Sequence, residues 1–281
     1  IGNSVTSIGS SAFFGCSSLT AINVDANNPG YTSVDGVLFN KSQSELIQYP
    51  AGKTGNDYTI PHSVESIGDD AFYGCSGLTS ITIPDLVTSI GNYAFRGCRK
   101  LTSITIPDLV ESIGIYAFFD CSNLALVTVG NSVEHIEDYA FFNCPALASI
   151  TNLNPTPQAI DSYVFVDVAI GNITLYVPTE SVEAYEAASV WRDFGKITAY
   201  TPSVINTPAV TAAIRISPNP VAESFRIEGI TAPSTVNVSD INGRIIFKKI
   251  ISGDESITLN HWTKGIYLVH VNGMTTKIIK N

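Results

Sequence analysis

Five cysteines, at positions 16, 75, 98, 121 and 144, set the frame for this chain. The last three gaps are each 23 residues, and the first is 59, one such period plus 36. The residues around them repeat with the same period. Ala-Phe precedes each cysteine, at Ala12-Phe13, Ala71-Phe72, Ala94-Phe95, Ala117-Phe118 and Ala140-Phe141. Upstream stands Val-x-x-Ile, as in Val64 and Ile67 or Val87 and Ile90. Downstream stands Leu-x-x-Ile/Val-x-Ile/Val, as in Leu101, Ile104 and Ile106 or Leu124, Val127 and Val129. A sixth, degenerate copy has Val164-Phe165, with Val168 at the cysteine position. A unit this small cannot bury its apolar residues alone. Stacked copies bury them in one continuous core, with like residues in columns.

Each part of the unit has a local reading. Leu-x-x-Ile-x-Ile ends in a period-two alternation, the mark of a short strand with one face buried. Val-x-x-Ile reads as a second extended piece on the opposite side of the coil. Ala-Phe-x-Gly-Cys is too short for a full helix and reads as a helical turn, with glycine permitting a tight exit. The extra 36 residues hold two apolar runs, 37–39 and 46–49, around a polar turn, which reads as a hairpin. The expected fold is mainly β with short helical turns: a solenoid of 23-residue repeats over residues 1–200, with a hairpin-bearing long repeat at 25–61.

The unit resembles the BspA-like subfamily of leucine-rich repeats. The segment from Ser89-Ile90-Gly91 through Ala94-Phe95-Arg96-Gly97-Cys98 lies close to the family consensus, and the long repeat is similar to a hairpin-bearing variant seen there. The resemblance implies a bacterial surface protein that binds host matrix proteins, host cells or other bacteria.

A solenoid needs its end covered. Residues 179–194 offer a capping helix. Thr179 suits an N-cap, Glu180 and Glu183 favour the positive end of the dipole, and Val182, Tyr185, Ala188, Trp191 and Phe194 recur at helical spacing before Gly195. Residues 201–210 carry two prolines without periodicity and read as a linker. Beyond them, over 211–281, come seven short β-rich runs, with hairpin signals at Asn242-Gly243 and Asn272-Gly273. This pattern indicates a small Ig-like β-sandwich. Its motifs are Pro218-Asn219-Pro220, Asn242-Gly243, Gly265 with Tyr267, and Lys277 in the last strand. In this order they resemble the type A sorting domain of the type IX (Por) secretion system. That resemblance implies contact with the secretion machinery, passage across the outer membrane to the cell surface or beyond, and removal of the domain.

Charge narrows the partners. Residues 1–200 carry 7 Lys/Arg against 20 Asp/Glu, whereas 201–281 carry 8 against 5. An acidic solenoid argues against nucleic acid and against anionic lipid. No apolar run reaches the ~18 residues of a membrane span.

No catalytic constellation emerges. His62, His135, His261 and His270 are scattered, and no nucleophile elbow or phosphate-cradling glycine motif occurs. The cysteine column suits neither a disulfide nor a metal. Ladder neighbours stand ~4.8 Å apart with parallel side chains, whereas a disulfide needs converging Cβ atoms ~3.8 Å apart. The thiols read as small buried hydrophobes. Glu65, Glu111 and Glu134 hold equivalent positions and read as a solvated face rather than a calcium site. No cofactor or metal is expected.

Two surfaces remain for an extracellular protein or glycan partner. One is the strand face bearing Ser80 and Thr82, Ser103 and Thr105, and Thr128. The other is the aromatic set Tyr93, Tyr116 and Tyr139 beside the turn. The expected function is non-catalytic adhesion. Glycan capture on the aromatic set and a structural surface-layer role are the alternatives.

Overall fold

Alternation of apolar and small polar residues decides where the strands form. In the computed structural model the chain divides into two compact units, Ile1–Thr201 and Pro202–Asn281. The structure describes residues 1–200, 215–217, 224–230, 234–240, 245–258, 262, 264–271 and 274–280. The 201–210 segment and Pro218, Asn219, Pro220, Asn242 and Gly243, with the second hairpin signal at 272–273, lie outside these residues.

The first unit opens its regular structure with β1 (Tyr31–Val34), β2 (Val37–Asn40) and β3 (Glu45–Gln48), an antiparallel meander within the long repeat. Then each coil gives two strands: β4 (Asp57–Thr59) and β5 (Ser66–Ile67), β6 (Ser80–Thr82) and β7 (Ser89–Ile90), β8 (Ser103–Ile106) and β9 (Ser112–Ile113), β10 (Leu126–Val129) and β11 (His135–Ile136). β12 (Ser149–Asn152), β13 (Thr174–Val177) and β14 (Lys196–Ala199) complete the unit. One parallel sheet runs β8-β10-β12-β13-β14, with β4 and β6 paired separately. The other sheet runs β1-β2-β3-β5-β7-β9-β11, so the hairpin takes the place of a coil strand at its end.

The core lies between the two sheets and is built of columns. Phe72, Phe95, Phe118 and Phe141 are buried, as are Cys75, Cys98, Cys121 and Cys144 and the Leu78, Leu101, Leu124 and Leu147 series. The phenylalanine rings stack in succession at 5.1, 5.1 and 5.2 Å. In the first coil of this sequence the equivalent Ala12 and Cys16 are exposed.

The turn after the second strand is not helical. Asp70, Tyr93, Tyr116 and Tyr139 have φ between 56° and 61°, and Gly74, Gly97, Asp120 and Asn143 are also left-handed. This alternation aims successive N–H groups in different directions. Phe72, Phe95 and Phe118 donate to Ala94, Ala117 and Ala140 of the following coil at 2.7–2.8 Å, while Cys75 donates back to Phe72. A helical turn would spend its bonds internally and leave nothing to tie one coil to the next. A left-handed tyrosine costs ~1–2 kcal/mol, which the inter-coil bonds offset.

The cap differs from one continuous helix over 179–194. Thr179–Ser181 is a 3₁₀ turn, α1 spans Val182–Ala187, and Ala188 is extended before a second 3₁₀ turn at Trp191–Asp193. Thr179 is the first residue of its turn rather than its N-cap. The reason lies in the spacing. Residues strictly three apart drift by about 60° per step around an α-helix, so a straight helix would turn the later ones away from the core. Breaking at Ala188 lets Tyr185, Trp191 and Phe194 all bury. Tyr185 Oη donates to the Asn154 carbonyl at 2.9 Å, and Trp191 Nε1 to that of Gln158 at 2.8 Å.

In the second unit, β15 (Arg215–Ser217), β16 (Ser224–Glu228), β17 (Ser234–Asp240), β18 (Ile245–Ile251), β19 (Glu255–Thr258), β20 (Gly265–Val271) and β21 (Met274–Lys280) form two antiparallel sheets, ordered β15-β16-β19 and β18-β17-β20-β21. Phe225, Ile227 and Ile257 from one sheet share a core with Val236, Val238, Val269 and Ile278 from the other. Of the sorting motif, Gly265 opens β20, Tyr267 is buried in this core, and Lys277 is exposed opposite Leu268.

Candidate functional site

The outward side of the parallel sheet follows from strand register. Ser103, Leu126, Ser149, Thr174 and Lys196 form one row across β8 to β14. Thr105, Thr128, Thr151, Tyr176 and Thr198 form the next. Ser80 and Thr82 continue these rows on β6, where they pair with Asp57 and Thr59. Between Asp57 and Lys196 the two rows carry no charge. Ser80, Thr82, Ser103 and Thr105 are exposed, and Thr128 is half-buried. None of these five hydroxyls has a hydrogen-bond partner among the described residues, so each is available to a ligand. Leu126 interrupts the small side chains and is 53% exposed, an apolar projection on a polar, flat face. The structure thus brings the five sheet-face residues together on one surface.

The tyrosines also come together, but not as a platform. Tyr93, Tyr116, Tyr139 and Tyr163 stack face to face at 5.3, 4.7 and 5.4 Å. Phe119 and Phe142 make a second stack at 4.9 Å, and Tyr116 and Tyr139 meet them edge-on. A sugar stacks on a ring face. Here both faces of Tyr116 and Tyr139 are covered by neighbouring rings, and only edges and hydroxyls remain outward. Tyr93, Tyr116 and Tyr139 share a left-handed backbone, whereas Tyr163 joins the stack without one.

One residue beside this set escapes a reading based on the repeat. Phe14, Tyr73, Phe119 and Phe142 occupy one position in successive coils, and Arg96 takes that position between Tyr73 and Phe119. Its guanidinium lies 4.6 Å from the Phe119 ring centre, 5.4 Å from that of Tyr73 and 5.6 Å from that of Tyr93. Cation–π attraction holds it in place of a ring. The sequence signal was a cation in an otherwise aromatic column.

Sγ of Cys98, Cys121 and Cys144 donates to the carbonyls of Phe72, Phe95 and Phe118 at 3.2–3.3 Å. Burial pushes the Cys144 thiol up to about 12 and raises Cys75, Cys98 and Cys121 as well. All five cysteines are free, and Cys16 is exposed. Glu65, Thr88, Glu111 and Glu134 follow one another up the stack through backbone bonds, so a threonine separates the first glutamate from the other two. Among the described residues no three His, Cys, Asp or Glu side chains converge to hold a metal.

The 23-residue coil, the aromatic and cysteine columns and the paired sheets agree with a sequence profile described as the BspA type leucine rich repeat region, which matches residues 1–56 and 51–171 in 6 copies. The chain belongs to the BspA-type leucine-rich-repeat family. A second profile, a secretion system C-terminal sorting domain, matches residues 215–281. This BspA-type chain therefore carries a tail for type IX export, which places it at the cell surface or outside the cell and implies contact with the secretion machinery. No helix among the described residues is long and apolar enough to cross a membrane.

Several solved structures match part of the chain. The pneumococcal vaccine antigen PcpA matches with a TM-score of 0.60 at 23% identity, over 72% of this chain and 55% of its own. A leucine rich cell surface protein of Faecalibacterium prausnitzii matches at 26% identity and a TM-score of 0.49, over 68% of this chain and 45% of its own. A leucine-rich repeat protein of Eubacterium ventriosum matches at 26% identity and 0.45, over 58% and 54%. The BspA-type chain thus spans about half the length of these relatives. A search of curated proteins returned no match.

Proposed function

We propose that this chain is a non-catalytic adhesin that binds an extracellular protein through the outward face of β6, β8, β10 and β12. The observation that carries this reading is the pair of uncharged, in-register rows across that face, with the exposed Leu126 set among free hydroxyls. A rigid sheet loses little freedom on binding, and small side chains let a partner's backbone or aromatic anchors approach closely. The face itself covers only about 300 Å² at ~4.8 Å per strand, below the ~800 Å² a standard partner buries. The partner must therefore extend over the adjoining turns. There Leu86 and Leu109, which follow β6 and β8, are each 50% exposed. A glycan platform on Tyr93, Tyr116 and Tyr139 has less support, because neighbouring rings cover both faces of Tyr116 and Tyr139 and one face of Tyr93.

The test is binding of the full chain to immobilised extracellular-matrix proteins, with Thr105→Arg and Leu126→Glu as variants. Both positions point outward, so the fold should hold. The proposal expects saturable binding that weakens at least tenfold in each variant. Saturable binding untouched by either change would move the site elsewhere. Self-association without any matrix binding would favour the surface-layer alternative.

A further inference from the structure

Seven Lys/Arg residues serve residues 1–200, and three of them, Arg96, Arg99 and Lys100, fall within five positions of one coil. This is a local positive spot on an acidic unit. It borders an open depression of about 320 Å³ lined by Tyr73, Ser76, Arg96, Arg99, Phe119 and Asp120, on the turn side of the coil. The volume suits a single sugar ring.

The three cations are not equivalent. Arg99 is spent on Asp120, to which its Nε and Nη2 donate at 2.9 and 2.6 Å. Asp120 in turn accepts from Asn143 through its other oxygen. Arg96 is different. Aromatic rings hold its guanidinium, and among the described residues no carboxylate, carbonyl or hydroxyl accepts from it. It is half-buried and lines the depression, where the Asp120 carboxylate is already engaged by Arg99 and Asn143. A guanidinium fixed by stacking, with its fork unpaired, is preorganised for a planar or tetrahedral oxyanion. The ring faces beside it are covered, so the neutral part of a ligand would gain little from stacking. Specificity would come from the charge.

The overall sign of the unit limits the ligand further. With 7 cations against 20 anions over residues 1–200, a long polyanion meets net repulsion along the stack. A ligand with one charge feels mainly the nearest groups, since charges beyond ~8 Å are screened at physiological salt. We propose that the depression beside Arg96 binds a sugar carrying a single oxyanion, either a carboxylate or a sulfate ester, with Arg96 as its anchor. This site is separate from the sheet face and stands independently of the adhesin reading.

The repeat itself supplies the variant that isolates binding from folding. Successive coils place Phe14, Tyr73, Phe119 and Phe142 at the Arg96 position, so Arg96→Phe removes the charge and completes the aromatic column. The full chain would be titrated with methyl glucuronide, glucose 6-sulfate and methyl glucoside by calorimetry or ligand-observed NMR. The expected result is at least tenfold tighter binding of a charged sugar than of the neutral one. That preference should disappear in Arg96→Phe, whose Tm is unchanged or higher. Preference for glucuronide or for sulfate assigns the oxyanion. Equal binding of charged and neutral sugars, binding retained in Arg96→Phe, or no binding of either charged sugar would each overturn the proposal.

Discussion

Phe118 and Phe119 are adjacent in the chain and each stacks on a ring of the next coil, at 5.2 Å for Phe118 on Phe141 and 4.9 Å for Phe119 on Phe142. They differ in burial: Phe118 is fully buried, whereas Phe119 is half-buried. Truncating Phe118 to alanine removes roughly 150 Å² of apolar surface from the core, about 4 kcal/mol at 25 cal/mol per Å². The cavity cannot close fully, because the backbone at Phe118 is tied to Ala140 at 2.8 Å, and measured Phe→Ala changes of this kind cost ~3–5 kcal/mol. Phe119→Ala forfeits about half as much burial and some contact with Arg96, so ~1–2 kcal/mol is expected. Urea unfolding followed by tryptophan fluorescence measures both. The chain has two tryptophans, Trp191 buried in the first unit and Trp262 in the second, so a Trp262→Phe background reports on the solenoid alone. Equal losses at the two positions would mean that ring stacking, rather than removal from water, holds the columns together. A Phe118→Ala cost under ~2 kcal/mol would refute the burial argument directly.

The other expectations concern backbone approach and the buried thiols. A Cβ at Gly195 would overlap the Gly171 carbonyl, and relieving it stretches the bonds from Gly195 to Ile170 and from Lys196 to Ile173. Gly195→Ala should therefore cost ~2–3 kcal/mol by chemical denaturation, whereas Gly171→Ala, with open space around it, should stay within ~0.5. In the folded 281-residue chain a thiol reagent should spare Cys75, Cys98, Cys121 and Cys144, which should react only on unfolding, as a timed titration would show. Because folding raises the thiol pKa values, the stability from burying neutral sulfur is fully present below the unfolded value of about 8.5. It is lost as pH climbs from there through about 12, the folded value of Cys144. Comparing urea midpoints at pH 7 and pH 10 should show a steeper alkaline loss in wild type than in Cys144→Ala, and parallel losses would sink the assignment.

Much of this protein was legible in the order of its residues. The 23-residue spacing of Ala-Phe and Cys named the core columns, since a buried position must recur wherever coils stack. Alternation in segments such as Ser103-Ile104-Thr105-Ile106 told which side chains face out, because a strand admits only two faces. The seven β-runs of the second unit were equally plain. The conformation of the turn was not legible. Alanine, phenylalanine and glycine at that spacing fit a helical turn, and only the need to bond the next coil makes Tyr93, Tyr116 and Tyr139 left-handed. The broken cap was hidden for a related reason, since spacing by threes satisfies a helix wheel loosely while Trp191 and Phe194 answer to the shape of the last open coil. The tyrosine faces and the setting of Arg96 depend on what lies 23 residues away on either side. Local sequence chose which residues would be buried, because hydrophobicity and periodicity are properties of the chain. Which ring covers which, and which rings Arg96 lies among, were decided only when the coils stacked, because those are contacts between segments far apart in the chain.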